Sequence, residues 1–216
     1  MTDLAMLAFW AGLLAAFAYL PLSAHAPGLL RSASKTVPLL CFAASAYLAG
    51  AHPYLTAALL LSAVGDLALS RPSQRAFNYG LAAFSLTHLL YTLLFTAISG
   101  APIWAAFAEA PLFAVPLVAL AVSAEIWLVP HTGALRWPVR VYVALITAMM
   151  LSALILPAIL FIATLGAAAF VASDFILSVQ MFRMNATAKW RAATGWLVWG
   201  LYIGGQSMIL WGAALT

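Results

Sequence analysis

Charge is what this chain has least of. Only 6% of its 216 residues are Asp, Glu, Lys or Arg, 66% are hydrophobic, and the mean hydropathy is +1.07. A soluble domain of this size needs a polar surface to cover its core, so a composition this apolar excludes one and leaves lipid as the solvent. Cysteine is nearly absent. Cys41 stands alone; it can form no intramolecular disulfide and, in an apolar stretch, reads as a small packing residue. Four scattered histidines and one cysteine do not make a zinc site. No Gly-x-Ser-x-Gly elbow, His-Glu-x-x-His or Walker loop is found. No basic run with interleaved aromatics is found either, which excludes nucleic acid as a partner.

What the chain does have is long hydrophobic runs. A helix needs about 20 apolar residues to cross the hydrocarbon layer. Eight runs meet that length, near residues 4–22, 33–51, 54–70, 77–99, 111–129, 138–156, 158–181 and 192–215. Their ends carry turn signals, among them Pro27-Gly28, His52-Pro53, Arg71-Pro72, Gly100-Ala101-Pro102 and Pro157. The expected fold is an all-α, polytopic membrane helical bundle, residues 1–216 forming one integral membrane domain.

The nine basic residues test that count. Arg31 and Lys35 fall between spans one and two, Arg71 and Arg75 between three and four, and Arg136 and Arg140 between five and six. Arg183, Lys189 and Arg191 fall between seven and eight. The other joints and both ends have none, while Asp3 and Glu109 lie on that opposite side. The positive-inside rule then predicts a multi-pass protein of a bacterial inner membrane, with basic loops cytoplasmic and both termini outside. Ala24-His25-Ala26 has the small-x-small form of a signal cleavage site. The run before it lacks a basic lead and is followed by basic residues, which favours insertion over cleavage.

A faint repeat runs through the chain. Gly65-Asp66-Leu67-Ala68-Leu69-Ser70 and Ser173-Asp174-Phe175-Ile176-Leu177-Ser178 both read small-Asp-x-x-Leu-Ser, at an offset of 108 residues. Such an offset implies a parallel 4+4 internal repeat.

The two aspartates lie on the order of 6–11 Å inside the cytoplasmic ends of their spans. A carboxylate within a membrane helix is costly unless paired, hydrated or protonated. Two of them at matching depth suggest one shared polar pocket; the plainer alternative is interhelical packing glue. His88 and Tyr91, three apart, share a face of span four, and Tyr202 and Gln206, four apart, share one of span eight. Gly200-x-x-x-Gly204 beside them permits close helix approach and suggests a homo-oligomer. Lys35 reads as a snorkelling interfacial anchor, and is also placed to meet a phosphate or an aspartate. Glu125 reads as reaching toward Arg136 or Arg140. Intramembrane aspartyl proteases also use two aspartates. Their Gly-x-Gly-Asp element is here Ala63-Val64-Gly65-Asp66, and their Tyr-Asp element would be Ser173-Asp174, so that class fails on both halves.

These residues together resemble the YhhN family of membrane proteins, whose animal members are lysoplasmalogenases. The resemblance rests on Lys35 with Pro38, Gly65-Asp66, and Phe77-x-x-Gly80-Leu81-x-x-Phe84-x-x-x-His88-x-x-Tyr91. Ser173-Asp174 and Tyr202 with Gln206 complete it. It extends from about residue 30 to the end. Two departures are visible: Thr36 follows Lys35 where the family has proline, and Thr87 precedes His88 where alanine is usual.

The resemblance implies hydrolysis of the vinyl ether bond of a lysophospholipid, giving a fatty aldehyde and a glycerophospho-base, without metal or cofactor. Vinyl ethers hydrolyse when an acid protonates the carbon distal to oxygen and water captures the resulting cation. Two carboxyls can divide that work as they do in glycosidases. Asp174, deeper and flanked by Val171, Phe175 and Ile176, is the expected proton donor, and Asp66, near Lys35, the expected base; the roles are open to exchange. Lys35, His88, Tyr91, Tyr202 and Gln206 would bind the substrate, its headgroup toward Lys35 and its chain among the helices and bilayer lipid. A proton-coupled transporter or lipid-binding protein using the same acids is the alternative class.

Overall fold

The computed structural model describes residues 2–23, 28–185, 187 and 189–214. The small-x-small triplet at 24–26 lies outside the described residues. Among the described residues there are helices and turns and no strand. In chain order the helices are α1 (Asp3–Leu22), α2 (Leu29–Leu48), α3 (Pro53–Leu69) and α4 (Gln74–Ser99). A single turn, α5 (Ala106–Glu109), precedes α6 (Pro111–Trp127), α7 (Arg136–Leu154), α8 (Phe161–Phe182) and α9 (Arg191–Ala213). The chain is thus a polytopic helical membrane protein. Among the described residues, five stretches are long and apolar enough to cross a membrane: Asp3–Leu22, Gln74–Ser99, Pro111–His131, Gly133–Leu154 and Ala158–Phe182. α3 is a shorter apolar helix of 17 residues.

Helix ends follow local chemistry. Thr2 caps α1, its hydroxyl accepting from the Ala5 N–H at 3.2 Å. Gly100 closes α4 with φ 65°, a left-handed geometry that favours glycine. At Pro157 the helix is interrupted: α7 ends at Leu154 and α8 begins at Phe161. The largest departure from the hydropathy reading is at the basic ends. α2 begins at Leu29, so Arg31 lies in its first turn, and Arg75, Arg136 and Arg191 likewise open α4, α7 and α9. Arginine is a good helix former with an apolar stem, so the backbone ladder continues past the point where the sequence turns polar.

Packing divides the chain into two compact units, Met1–Leu94 with Leu210–Thr216, and Phe95–Ile209. In the first, Phe9 stacks on Phe42 with ring centroids 5.6 Å apart. Gly12 makes room for that ring, since a Cβ there would fall 2.7 Å from it. The buried Ser45 hydroxyl donates to the Ala5 carbonyl at 2.8 Å, tying α2 to α1. At the other end of α2, Ser70 donates to Ser32 at 2.7 Å, which joins the end of α3 to the first turn of α2.

In the second unit α8 crosses α9 closely. A Cβ on Gly166 would lie 2.6 Å from the Gly205 carbonyl oxygen, so backbones pass in direct contact. The Gly200-x-x-x-Gly204 spacing is not that crossing, because a Cβ at either position meets nothing within 4 Å. Thr164 donates to the Ala153 carbonyl at 2.8 Å and Ser173 to the Val198 carbonyl at 3.0 Å, fastening α8 to α7 and α9.

Candidate active site

The motif of the fourth span is the buried stripe of α4. Gly80, Ala83, Phe84, Thr87, His88 and Tyr91 recur at helical spacing and are all buried. Its fit to α3 is set by two glycines. A Cβ on Gly65 would lie 2.6 Å from the Phe84 ring, and one on Gly80 would lie 2.6 Å from Leu69. The glycines let α3 and α4 approach until Phe84 covers Gly65, and Asp66 follows directly in the chain. Asp66 is consequently 1% exposed.

Thr87, the departure from the family pattern, is used in the same contact. Its hydroxyl donates to the Ala83 carbonyl at 3.1 Å and shares a 3.3 Å hydrogen bond with Ser62, one helical turn before Asp66. His88 and Tyr91 are both fully buried in this unit. Neither is unpartnered.

Lys35 resolves between its two expected roles. Its ammonium lies 3.2 Å from Asp66 Oδ1, with the lysine side chain only 18% exposed. A snorkelling anchor would extend toward water instead; this lysine turns inward and forms an ion pair between α2 and α3.

Asp174 has its own donor, and the sequence reading missed it. The Tyr142 hydroxyl on α7 donates to Asp174 Oδ2 on α8. Each acid is therefore gripped by a residue of the preceding long helix, Lys35 lying 31 residues before Asp66 and Tyr142 lying 32 before Asp174. The 108-residue offset would have pointed to position 143, one residue from Tyr142. Asp174 is half-buried, less enclosed than Asp66. This reverses the order of burial expected from depth, since Phe175 beside it is itself 41% exposed.

The rest of the second unit's polar set lies on α8 and α9. Tyr202 is buried edge-on against Phe170, with centroids 5.3 Å apart, and Gln206 is fully buried. Glu125 is taken up elsewhere. Its two oxygens accept from Arg140 at 2.8 and 2.7 Å, and Arg140 lies over the Trp137 ring. Lys35, Asp66, His88 and Tyr91 thus belong to the first unit, and Tyr142, Asp174, Tyr202 and Gln206 to the second.

The YhhN family model matches residues 30–213. The chain belongs to the YhhN family. It is also 36% identical over 143 residues to proteins named lysoplasmalogenase from Mycobacterium bovis and Mycobacterium tuberculosis, an alignment covering 60% of this chain and 50% of theirs. The chain thus matches about half the length of these curated relatives. No solved structure matches it. Every YhhN-like residue named above falls inside the matched range, and the most specific motif is the α4 stripe that packs on Gly65-Asp66.

Proposed function

We propose that this YhhN-family chain hydrolyses the vinyl ether bond of lysoplasmalogen-like lysophospholipids, releasing a fatty aldehyde and a glycerophospho-base. The observation that carries the reading is the pair of carboxyls within apolar helices, each held by a donor from the preceding long helix. Similarity to proteins named lysoplasmalogenase supports the same reaction.

The chemistry needs a carbon-directed acid first. Protonated Asp174 gives its proton to the vinyl carbon distal to oxygen; the alkene electrons form the new C–H bond and leave an oxocarbenium ion. Tyr142, whose hydroxyl donates to the Asp174 carboxyl, stabilises the carboxylate formed by the transfer. Asp66, the carboxylate of an ion pair, stabilises the cation and accepts a proton from the water that adds to it. The resulting hemiacetal collapses: its hydroxyl proton returns to Asp174, Asp66 protonates the departing glycerol oxygen, and the aldehyde is released. Both carboxyls end as they began. His88, Tyr91, Tyr202 and Gln206 shape the substrate's surroundings. The proposal carries with it one domain of eight crossings in a bacterial inner membrane, with the four basic joints cytoplasmic and both termini outside.

Purified protein in detergent tests it. Time-dependent aldehyde release from lysoplasmalogen is expected, and in D2O the aldehyde should carry one deuterium on the carbon next to the carbonyl. Saturable lipid binding or lipid flux without any aldehyde would instead mark a transporter or lipid-binding protein using the same acids.

A further inference from the structure

The chemistry of vinyl ether protonation says where the hydrocarbon tail of the substrate begins. The proton from Asp174 goes to the vinyl carbon distal to oxygen, and the rest of the alkenyl chain continues from that carbon. The side chains beside Asp174 therefore meet the first carbons of the tail, whichever way the headgroup lies. Tyr142 of α7 holds the carboxyl itself. The next residue of α8 stands about 100° further round the helix. It is Phe175, an apolar ring that is 41% exposed.

An exposed phenylalanine on a membrane helix normally needs no partner but lipid. Phe175 differs from the others. Of the exposed phenylalanines Phe17, Phe107, Phe113, Phe161 and Phe175, it alone packs on another ring among the described residues. Trp127 of α6 meets it near edge-on, with centroids 5.4 Å apart and planes at 61°. Trp127 is itself fixed. Its indole N–H donates to the Ser123 hydroxyl at 3.1 Å, and that hydroxyl donates to the Leu120 carbonyl at 2.7 Å, all within α6. A tryptophan of the interfacial belt turns its N–H to headgroups and water. This one is committed inside its own helix, and its ring packs against the buried cluster of Ala124, Leu128 and Val139.

We infer that Phe175 is a specificity-determining residue for the substrate's tail, and that Trp127 is the positioning residue that keeps its ring in place. The exposed face of Phe175 forms a wall along which the first carbons beyond the vinyl bond lie. A flat, fixed ring accepts a straight methylene chain and collides with a methyl branch. Branching at the far end of the tail lies beyond the ring and goes unread. The inference rests on the proposed reaction with Asp174 as donor, and it names what that reaction selects: a tail unbranched next to the vinyl ether.

The test compares kcat/KM in detergent for three alkenyl lysophosphatidylethanolamines of equal chain length. One is straight, one carries a methyl branch on the fourth chain carbon, and one carries it on the last carbon but one. Wild type should favour the straight substrate over the near-branched one on the order of 10-fold, and treat the far-branched one like the straight. Phe175→Ala should reduce the preference to within about 3-fold, Trp127→Leu should fall between, and Phe175→Tyr, which keeps the ring, should retain it. Equal losses on all three substrates in Phe175→Ala, with the preference unchanged, would make the ring a packing element and overturn the inference. So would a wild type that hydrolyses straight and near-branched substrates alike. If Phe175→Ala does not fold, Phe175→Leu carries the same comparison. If wild type releases no aldehyde at all, the proposed reaction fails. Binding of the matching alkyl ether lysolipids, straight and near-branched, then judges the wall by itself: a preference that Phe175→Ala abolishes supports it, and equal affinities overturn it.

Discussion

Removing the Lys35 ammonium should be among the most damaging single changes in the first unit. Lys35→Met keeps length and apolar stem but leaves the Asp66 carboxylate, 2% exposed in its side chain, without its cation. At 3.2 Å the gross attraction is on the order of 5 kcal/mol at an effective dielectric of about 20. Desolvation of both groups offsets part of this. Breaking a buried pair by deleting one partner typically costs about 3–5 kcal/mol. Asp66 has further polar contacts, so the lower end, about 3 kcal/mol, is the expected loss.

Asp66→Asn should cost less, because the freed lysine is already 18% exposed and can reach water. Lys35→Met combined with Asp66→Asn removes both charges and should recover to within about 1 kcal/mol of wild type. Reversible unfolding in mixed micelles measures all four proteins. A double variant no more stable than Lys35→Met alone would refute the argument, since the damage would then come from lost lysine packing and not from an uncompensated charge.

Gly65→Ala should destabilise by about 1–3 kcal/mol through overpacking against Phe84, and Phe84→Leu should restore part of it in the same unfolding measurement; no rescue would place the strain elsewhere. Tyr142→Phe removes one hydroxyl and should lower kcat by about 10-fold while stability changes little; unchanged turnover would remove Tyr142 from the mechanism. Reporter fusions at residues 73 and 134 should read cytoplasmic and one after Thr216 external, whereas a cytoplasmic C-terminus would contradict eight crossings.

The apolar runs made the helices legible because lipid imposes length and composition together. Their basic ends were not, since nothing in hydropathy separates a loop arginine from one in the first turn of α2. Of the α4 stripe, the shared face of His88 and Tyr91 was legible in their spacing and the rest only through the family resemblance; Gly65 and Gly80 show why the pattern takes that form. Lys35 could not be decided from sequence: a lysine closing an apolar run suits an interface or a buried acid equally well, and only packing of α2 on α3 chooses. Tyr142 carried less signal still, one tyrosine among seven with no motif around it. Gly166 and Gly205 stand far apart in the chain, so their crossing left no local spacing to find, while Gly200 and Gly204 had the spacing without the contact.

The central claim is that the two aspartates carry vinyl ether hydrolysis, and aldehyde release from lysoplasmalogen by purified Asp66→Asn and Asp174→Asn variants tests it most directly. Asparagine keeps the shape of each side chain and removes its acid–base capacity. Each variant should stay folded and lose at least about 10²-fold in rate. Near-normal aldehyde release by both would contradict the mechanism, and near-normal release by Asp174→Asn alone would remove it as the proton donor.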